Sequence, residues 1–285
     1  MTRRPVVELV LGTVLLSACG GGAPLMYPAH TLAESQVSFA AGSSGRLALG
    51  RLHDADVALD SSAALPGGAS SPEQRASFVK GTLSRLAVAP GVAPFMAARA
   101  GLGGHNEAGL TYTARSFRLD GRHAFEWSNL ALSVGLAGTG ALAQPGGEPK
   151  DNVKDEPHAD PGLRTSSITS LRGFGLELPV LFGYRSSADV VKLWAGLRGG
   201  FEHDAANLAL LVEPDTLFGT TGSASRYWAG GLVGFSVGLD PIEVRVEVDA
   251  AYERVHGNLT TQAGVLSGDV AGVSLTPAMA ISAKF

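Results

Sequence analysis

The sequence has 285 residues, of which 45% are hydrophobic, so it can bury the core of one large domain or of two small ones. Lys and Arg number 22 against 26 Asp and Glu, and a formal net charge of -4 argues against nucleic acid as a partner. Glycine accounts for 38 of the 285 residues, well above its usual share of about 7%. This favours crowded strands and turns over helices.

Residues 1–18 have the organisation of an export signal. A positive start at residues 3–4 precedes an apolar stretch over residues 6–16 and small residues before Cys19, the only cysteine. The stretch LSACG at residues 16–20 resembles the bacterial lipobox. That resemblance implies cleavage after residue 18 and a diacylglyceryl lipid on Cys19, and no other cofactor is expected. An ordinary secretory signal that happens to contain a cysteine is the alternative.

Residues 19–33 are rich in Gly and Pro without any period, which predicts a lipidated tether. If the acyl chains lie in the periplasmic leaflet, residues 20–90 are expected to stay close to the inner rim. Beyond the tether no stretch of 18 apolar residues occurs, so a transmembrane helix is not expected.

Residues 34–90 carry weaker signals. Apolar residues of one parity at 37–49 and again at 57–59 are compatible with an extra hairpin. Residues 71–87 predict a short helix, because Ser70 and Glu73 have capping-box spacing and an apolar face follows. We expect this helix in the periplasm or in the mouth of a barrel.

From about residue 90 the dominant period is two, as in strands with one apolar face. The alternation is clearest in the last strand, which ends on Phe285. It recurs in eight segments of about ten residues: 92–103, 106–119, 122–138, 174–184, 190–202, 227–239, 242–253 and 271–285. A final strand that ends in Phe resembles bacterial outer-membrane barrels, in which this residue is an assembly signal. The fold class is therefore all-β, with the barrel over residues 91–285: a closed antiparallel up-and-down transmembrane β-barrel of about 8, or with the extra hairpin 10, strands.

The connections alternate in length. Asp120-Gly121, Ser186-Ser187 and Asp240-Pro241 are expected to be tight turns, whereas 141–165, 205–222 and 258–267 are expected to be long polar loops. Short periplasmic turns and longer extracellular loops are typical of outer-membrane barrels. In this scheme the turn at residues 103–106 lies on the extracellular side.

Alternation alone does not separate a membrane barrel from a soluble sandwich. The export signal, the terminal Phe and the many glycines on the less apolar face favour the barrel. The charged residues of that face are then expected in the lumen, where positive and negative groups nearly balance and have a structural role. They are Arg99, Glu107, Arg115, Glu177, Lys192, Arg198, Glu202, Glu243, Arg245, Glu247, Asp249, Glu253 and Lys284.

A catalytic or metal site is not expected. No His lies two residues from a Ser on a predicted strand, and neighbours in Glu202-His203-Asp204 point to opposite faces. The acidic loop at residues 151–160 could bind a divalent cation, but a plain solvated loop is the simpler interpretation.

The architecture resembles small outer-membrane proteins of the OmpA-transmembrane or OmpX type. The resemblance covers residues 90–285 and implies a lipid-anchored protein of the bacterial outer membrane with a structural or surface-interaction role, and not an enzyme. A small-solute or hydrophobic-compound channel and a lipid-modifying enzyme are the alternatives. Expected partners are outer-membrane lipids and the barrel-assembly and lipoprotein-export machineries. The sequence does not identify which extracellular partner the loops would bind.

Overall fold

The computed structural model describes residues 22–62, 69–143, 163–212, 216–261 and 264–285. Cys19 and the acidic loop at 151–160 lie outside these ranges. Within them, ten antiparallel strands pair in chain order and β1 pairs with β10, so the sheet closes into a barrel. The strands are β1 Val37–Leu49, β2 Gly91–Gly103, β3 Asn106–Thr113, β4 Ser116–Trp127, β5 Leu130–Ala143, β6 Leu163–Arg185, β7 Val191–Val212, β8 Thr216–Leu239, β9 Ile242–Thr261 and β10 Gly264–Lys284.

Two helices, α1 Arg51–Ser62 and α2 Pro72–Ala87, lie between β1 and β2. Neither of these described helices has the length and apolar character that a bilayer crossing requires.

The barrel has two different ends. At the first, called the C-terminal rim, Val37 and Phe285 exchange main-chain hydrogen bonds, and short turns link β2–β3, β4–β5, β6–β7 and β8–β9. The opposite end, called the helical rim, carries α1 and α2. This arrangement is the antiparallel up-and-down closure that the sequence predicts.

Strand alternation sorts the side chains into an outer apolar face and an inner polar face. In β9 the residues from Ile242 to Tyr252 with even numbers are mostly exposed and apolar, whereas Glu243, Arg245 and Glu247 are buried inside. The outer face is apolar all around the barrel; for example, Leu197 is 70% exposed and Ile281 is 62% exposed. A surface of this kind needs an apolar surrounding.

The number of strands is ten, the larger of the two expected values. The predicted strand at 122–138 is two strands, because Ser128 with a φ of 53° begins a turn that reverses the chain. Residues 37–49 form β1 and complete the wall, so the predicted barrel boundary at residue 91 omits one strand. Residues 57–59 belong to α1 and not to a hairpin.

Four predicted connections are wrong. Asp120-Gly121 lies in the middle of β4 and is not a turn. The Asp120 carboxylate can be buried there because it pairs with Arg99 and Arg118 in place of water. The turn at 103–106 lies at the C-terminal rim, beside residue 36. The strands β7 to β10 continue through most of 205–222 and 258–267, where small and β-branched residues pair in register.

The helices α1 and α2, called here the helical hairpin, fill the lumen at the helical rim. Leu83 of α2 is fully buried and packs where a Cβ on Gly257 or Gly268 would approach its side chain to 2.8–2.9 Å. Because those two glycines have no side chain, the helix can lie against the wall. The helix predicted at 71–87 is therefore inside the barrel mouth at the helical rim, far from the C-terminal rim. Its N-cap is Ser71 with Gln74 in a capping box, one residue later than predicted.

Residues 22–36, called here the N-terminal segment, run through the other half of the lumen. Leu25, Met26, Tyr27 and Ala29 are buried. The segment starts at Gly22, whose carbonyl accepts a hydrogen bond of 2.6 Å from Ser44 in β1, and it leaves at the C-terminal rim. The tether predicted at 19–33 is wrong for residues 22–33, because polar groups of the lumen hold their main chain. The positions of residues 51–62 and 69–87 at the helical rim likewise contradict the expectation that the whole N-terminal region stays close to the C-terminal rim.

Candidate functional site: the occluded lumen

The inner face at the C-terminal rim is a compact ion cluster. The Glu243 carboxylate lies within hydrogen-bond distance of Lys192 Nζ and Lys284 Nζ, and it also accepts from Arg245 at 3.1 Å. Arg245 donates in addition to the Met26 carbonyl at 2.9 Å. These charges are inside the barrel because their strands bring every second residue to the lumen.

The next level up joins three consecutive inward positions of β4 to β2 and β3. Glu107 pairs with both Arg99 and Arg122, the latter at 2.9 Å. Asp120 pairs with Arg99 at 2.6 Å and with Arg118 at 3.5 Å. All five side chains are nearly inaccessible to solvent. Buried charges of this kind are tolerated only because each has an opposite partner.

Two further levels lie towards the helices. Arg198 pairs with Glu177 at 3.4 Å and also contacts Asp249. Arg226 pairs with Glu202 and, at 3.0 Å, with Glu253.

Arg115 connects this upper part of the lumen to the helical hairpin. It lies 3.7 Å from Asp204 and donates to the last carbonyls of α2, those of Arg85 and Leu86. A cation at a helix C-terminus is favourable because the carbonyls there carry partial negative charge.

The lumen holds the main chain of the N-terminal segment with groups of both signs. Arginines donate to its carbonyls at residues 23, 24, 26, 28 and 30. Carboxylates accept from its N–H groups: Glu247 from Leu25 and Met26, and Glu107 from Leu32. These contacts are made by main-chain groups, so they do not depend on which side chains the segment carries.

Tyr27 is the side chain that fixes the register of the segment. Its ring centre lies 3.8 Å from the guanidinium carbon of Arg99 and 4.3 Å from that of Arg122. Its hydroxyl accepts a hydrogen bond of 2.9 Å from Arg118. A tyrosine face among three guanidinium groups is a favourable cation–π arrangement, and the polar tip is satisfied as well.

His30 lies near the C-terminal rim without a hydrogen-bond partner for either ring nitrogen among the described residues. Burial lowers the pKa of its imidazole, and the positive charge of Arg185 lowers it further, against the opposite effect of Glu126. His30 is therefore held in its neutral form.

The structure brings all thirteen predicted charges to the lumen; twelve of them form ion pairs, and Glu247 accepts from the main chain of Leu25 and Met26 and from Trp194. Their role as structural filling stays a prediction. Six further charges of the lumen were not predicted: Arg46, Arg118, Asp120, Arg122, Asp204 and Arg226. Those at 118–122 were hidden by the false turn. The inward parity of β4 would have found them.

Phe285 stands at the C-terminal rim on the outer face, 75% exposed and edge-on to Phe39 at 6.3 Å. This position leaves its ring accessible, and its use as an assembly signal stays a prediction.

Sequence reasoning also missed a pair that spans two strands. His203 Nδ1 and Ser225 Oγ lie 2.9 Å apart on the outer face, because β7 and β8 pair these two residues directly. The search along single strands could not find it. Glu202 and Asp204 point into the lumen, away from His203, as the alternation requires. Over the described ranges, no cluster of three or more His, Cys, Asp or Glu is arranged to hold a metal ion.

Among known proteins, the chain is similar to solved structures of outer-membrane proteins. No family model matches the chain, and no curated protein matches it. The chain is similar to the toluene transporter TbuX of Ralstonia pickettii at 9% identity, covering 89% of this chain and 90% of that one, with a TM-score of 0.38. It is similar to the neisserial surface protein A at 11% identity, covering 88% and 96%, with a TM-score of 0.26.

A third solved barrel is the outer membrane protease OmpT of Escherichia coli, at 11% identity, covering 90% of this chain and 99% of that one, with a TM-score of 0.34. These three similar structures are named as a transporter, a surface protein and a protease, so their names do not agree on one function. Likenesses this distant carry no argument for one activity, and the barrel of this chain rests on its own strand pairing.

Proposed function

We propose that this chain is a bacterial outer-membrane barrel that acts through its structure and its surface at the helical rim, with a lumen closed by its own chain. The observation that carries this proposal is the double filling of the lumen. The N-terminal segment occupies the half towards the C-terminal rim, and the helical hairpin occupies the other half. An open solute path does not fit a lumen that is filled at both levels.

The outer surface supports a membrane location. On β9 the apolar outward positions run from Ile242 to Tyr252, and Arg254 and His256 follow. Eleven residues in a strand tilted by about 40° rise about 28 Å, close to the apolar band of about 25 Å of outer-membrane barrels. Aromatic residues occur on the outside at both levels, Trp127 and Phe285 below and Tyr227 and Tyr252 above, as in interfacial girdles.

The proposed orientation places the C-terminal rim in the periplasm. Its turns are short, whereas β6 to β10 are 20 to 24 residues long and pass beyond the apolar band towards the helical rim. The surface available to an extracellular partner is then the projecting part of these strands together with α1 and α2.

Two measurements test this proposal. An outer-membrane fraction run on a gel without boiling should show a faster band that shifts on boiling, because a closed barrel resists detergent when cold. The purified protein in planar bilayers should show no steady open level. A protein that stays in the soluble fraction, or one with a constant large conductance, is incompatible with the proposal.

A gated path for small solutes is the second candidate. It is favoured by a cavity of about 350 Å³ at the C-terminal rim, lined by Tyr27, His30, Arg122, Lys192 and Arg245 among others. The N-terminal segment is held there by polar contacts with the wall. Brief openings that become frequent when the segment's contacts are weakened are expected for a gate and not for a permanently filled barrel.

We also propose that Cys19 carries the lipid that the lipobox-like sequence implies, and that the protein is not an enzyme. The threaded segment constrains the anchor, because Cys19 and Gly22 are three residue steps apart, which span at most about 11 Å. Acyl chains in the leaflet at the C-terminal rim are thus incompatible with Gly22 in its threaded position beside Ser44. Mass comparison of lipid A from wild-type and deletion cells tests the absence of lipid-modifying activity.

A further inference from the structure

A small cavity lies between the two fillings of the lumen. It has a volume of about 50 Å³ and is bounded by Ala23 of the N-terminal segment and by Ala87 and Ala89 at the end of α2. A buried water needs roughly 10–15 Å³ by the same measure. The cavity therefore has room for one small ion with a few waters, and not for an organic solute.

Four residues around this cavity have a buried N–H donor for which the described parts of the chain provide no acceptor. These donors are the Nε groups of Arg46, Arg198 and Arg226 and the indole Nε1 of Trp228. Arginine and tryptophan nitrogens donate and never accept, so these groups share one unmet need, an acceptor. Buried donors are costly when left unpaired, and four of them around one space point to an occupant that accepts from several sides.

The charged side chains that line the cavity are four arginines and three carboxylates, and Asp249 and Glu253 pair with two of these arginines from outside the lining. Arg198 pairs with Glu177, Arg226 with Glu202 and Arg115 with Asp204. Arg46 is the fourth arginine of the lining, and its exposure is only 9%. Within the part of the chain that is described, its contact is a hydrogen bond of 2.9 Å to the Val88 carbonyl, and no carboxylate pairs with it.

The ring of Trp228 holds two of these arginines in place. The guanidinium carbons of Arg198 and Arg226 lie 4.9 Å and 5.9 Å from its centre. Stacking on an indole fixes the plane of a guanidinium, so the donors are positioned before any occupant arrives.

We propose that this cavity is an anion site that takes a halide ion, chloride under physiological conditions, held by Arg46, Arg198, Arg226 and Trp228. A monatomic anion fits the volume, needs no donor of its own, and gives Arg46 the negative partner that no described carboxylate supplies within ion-pairing distance. Because the N-terminal segment and α2 both bound the site, an ion there stabilises the closed arrangement of the lumen as a whole. This inference does not depend on where in the cell the barrel resides.

The test uses the purified full chain in detergent. Its unfolding in urea is followed while chloride replaces gluconate at constant ionic strength. The ratio of folded to unfolded protein is expected to rise with chloride along a single-site curve, by about 100-fold when chloride reaches 100 times its dissociation constant. Bromide soaked into crystals should give an anomalous peak within 4 Å of the Arg46 guanidinium.

Matched variants make the test specific. Arg46→Met should abolish the chloride dependence, and Arg254→Met, which removes an exposed arginine of the outer face, should keep it. If Arg46→Met does not fold, Trp228→Phe decides: it keeps the ring under the arginines but removes one donor, so the dissociation constant should rise about tenfold. Equal unfolding in chloride and gluconate, an unchanged response in Arg46→Met or in Trp228→Phe, or only water in the cavity would overturn the proposal.

Discussion

The guanidinium carbon of Arg99 lies 3.8 Å from the centre of the Tyr27 ring. This contact joins the wall of the barrel to the chain that fills it, and Arg99 is at the same time paired with Glu107 and Asp120. The N-terminal segment is therefore part of the ion network and not a separate strand of chain inside it. Changes to either partner are expected to affect both the filling and the wall.

Replacing Tyr27 should loosen the N-terminal segment. Tyr27→Leu removes a desolvated cation–π contact worth about 2 kcal/mol, so the population with the segment displaced should rise roughly thirtyfold. Single-channel recording in planar bilayers measures this as more frequent openings. Tyr27→Phe is the matched control, since it keeps the ring and loses only the hydrogen bond from Arg118. Equal behaviour of Tyr27→Leu and wild type would show that the ring does not hold the segment.

Removing the charge of Glu107 should destabilise the folded barrel strongly. Glu107→Gln keeps the shape but leaves Arg99 and Arg122 without this carboxylate in a site with 1% exposure. Breaking a buried pair from one side costs about 3–5 kcal/mol. Urea unfolding in lipid vesicles measures the loss. Asp269→Asn breaks the exposed pair with Arg254 and should cost less than about 1 kcal/mol; similar losses in the two variants would contradict the buried network.

Acid should weaken the closed state through His30. Burial lowers the pKa of His30 in the folded protein, so the unfolded chain binds a proton first, at an ordinary pKa of about 6.5. This contribution to stability is full above that pH and is lost as the pH falls through 6.5 towards the lower folded value. The groups around it are Arg185, Lys192, Glu126 and Asp189.

The measurement for His30 is unfolding in urea between pH 7.5 and 5.0. His30→Leu has no proton to bind and should lose less stability over this range than wild type. Because neither ring nitrogen of His30 has a partner among the described residues, the leucine variant should be at least as stable as wild type at neutral pH. An identical pH dependence of the two proteins would remove His30 from the explanation.

The sequence predicted the parts of the fold that repeat locally. The alternation in β9 from Glu243 to Glu253 was sufficient to place each charge in the lumen, because parity in a strand decides the face. The N-terminal segment could not be found in this way. Leu25 is held by Glu247, which is 222 residues away in the chain, and no local period marks such a contact.

The errors in the connections have a related cause. Asp120-Gly121 has the composition of a turn, and composition dominates when a strand is judged alone. In the barrel, Asp120 faces Arg99 and Arg118, so a tertiary ion pair overrides the local preference. The Gly103 turn was placed at the wrong rim because the one predicted turn at Asp120-Gly121 stands in place of two real turns, those between β3 and β4 and between β4 and β5. The missing reversal changes the direction of every strand before it.

Loss of the proposed lipid should leave the barrel intact. Cys19→Ala is expected to abolish palmitate labelling and to keep the gel shift on boiling, since the described wall begins at Val37. If the acyl chains lie in the leaflet at the C-terminal rim, they compete with threading of residues 22–33. Cys19→Ala should then show fewer openings in planar bilayers than the lipidated protein. Palmitate labelling that persists in the variant would rule out Cys19 as the lipidated residue.

The outer face gives the most direct test of the membrane proposal, because the cost of a charge there depends on depth. Leu197 is 70% exposed in the middle of the apolar band, and Leu239 is 74% exposed at the C-terminal rim. A lysine or arginine facing lipid at mid-depth costs about 2–4 kcal/mol, and near the interface about 0–1 kcal/mol. Leu197→Arg should therefore lower the stability in lipid vesicles far more than Leu239→Arg. Since both leucines are exposed to the same extent, a face in contact with water predicts two equally small effects, and that result would exclude the bilayer as the surrounding of this face.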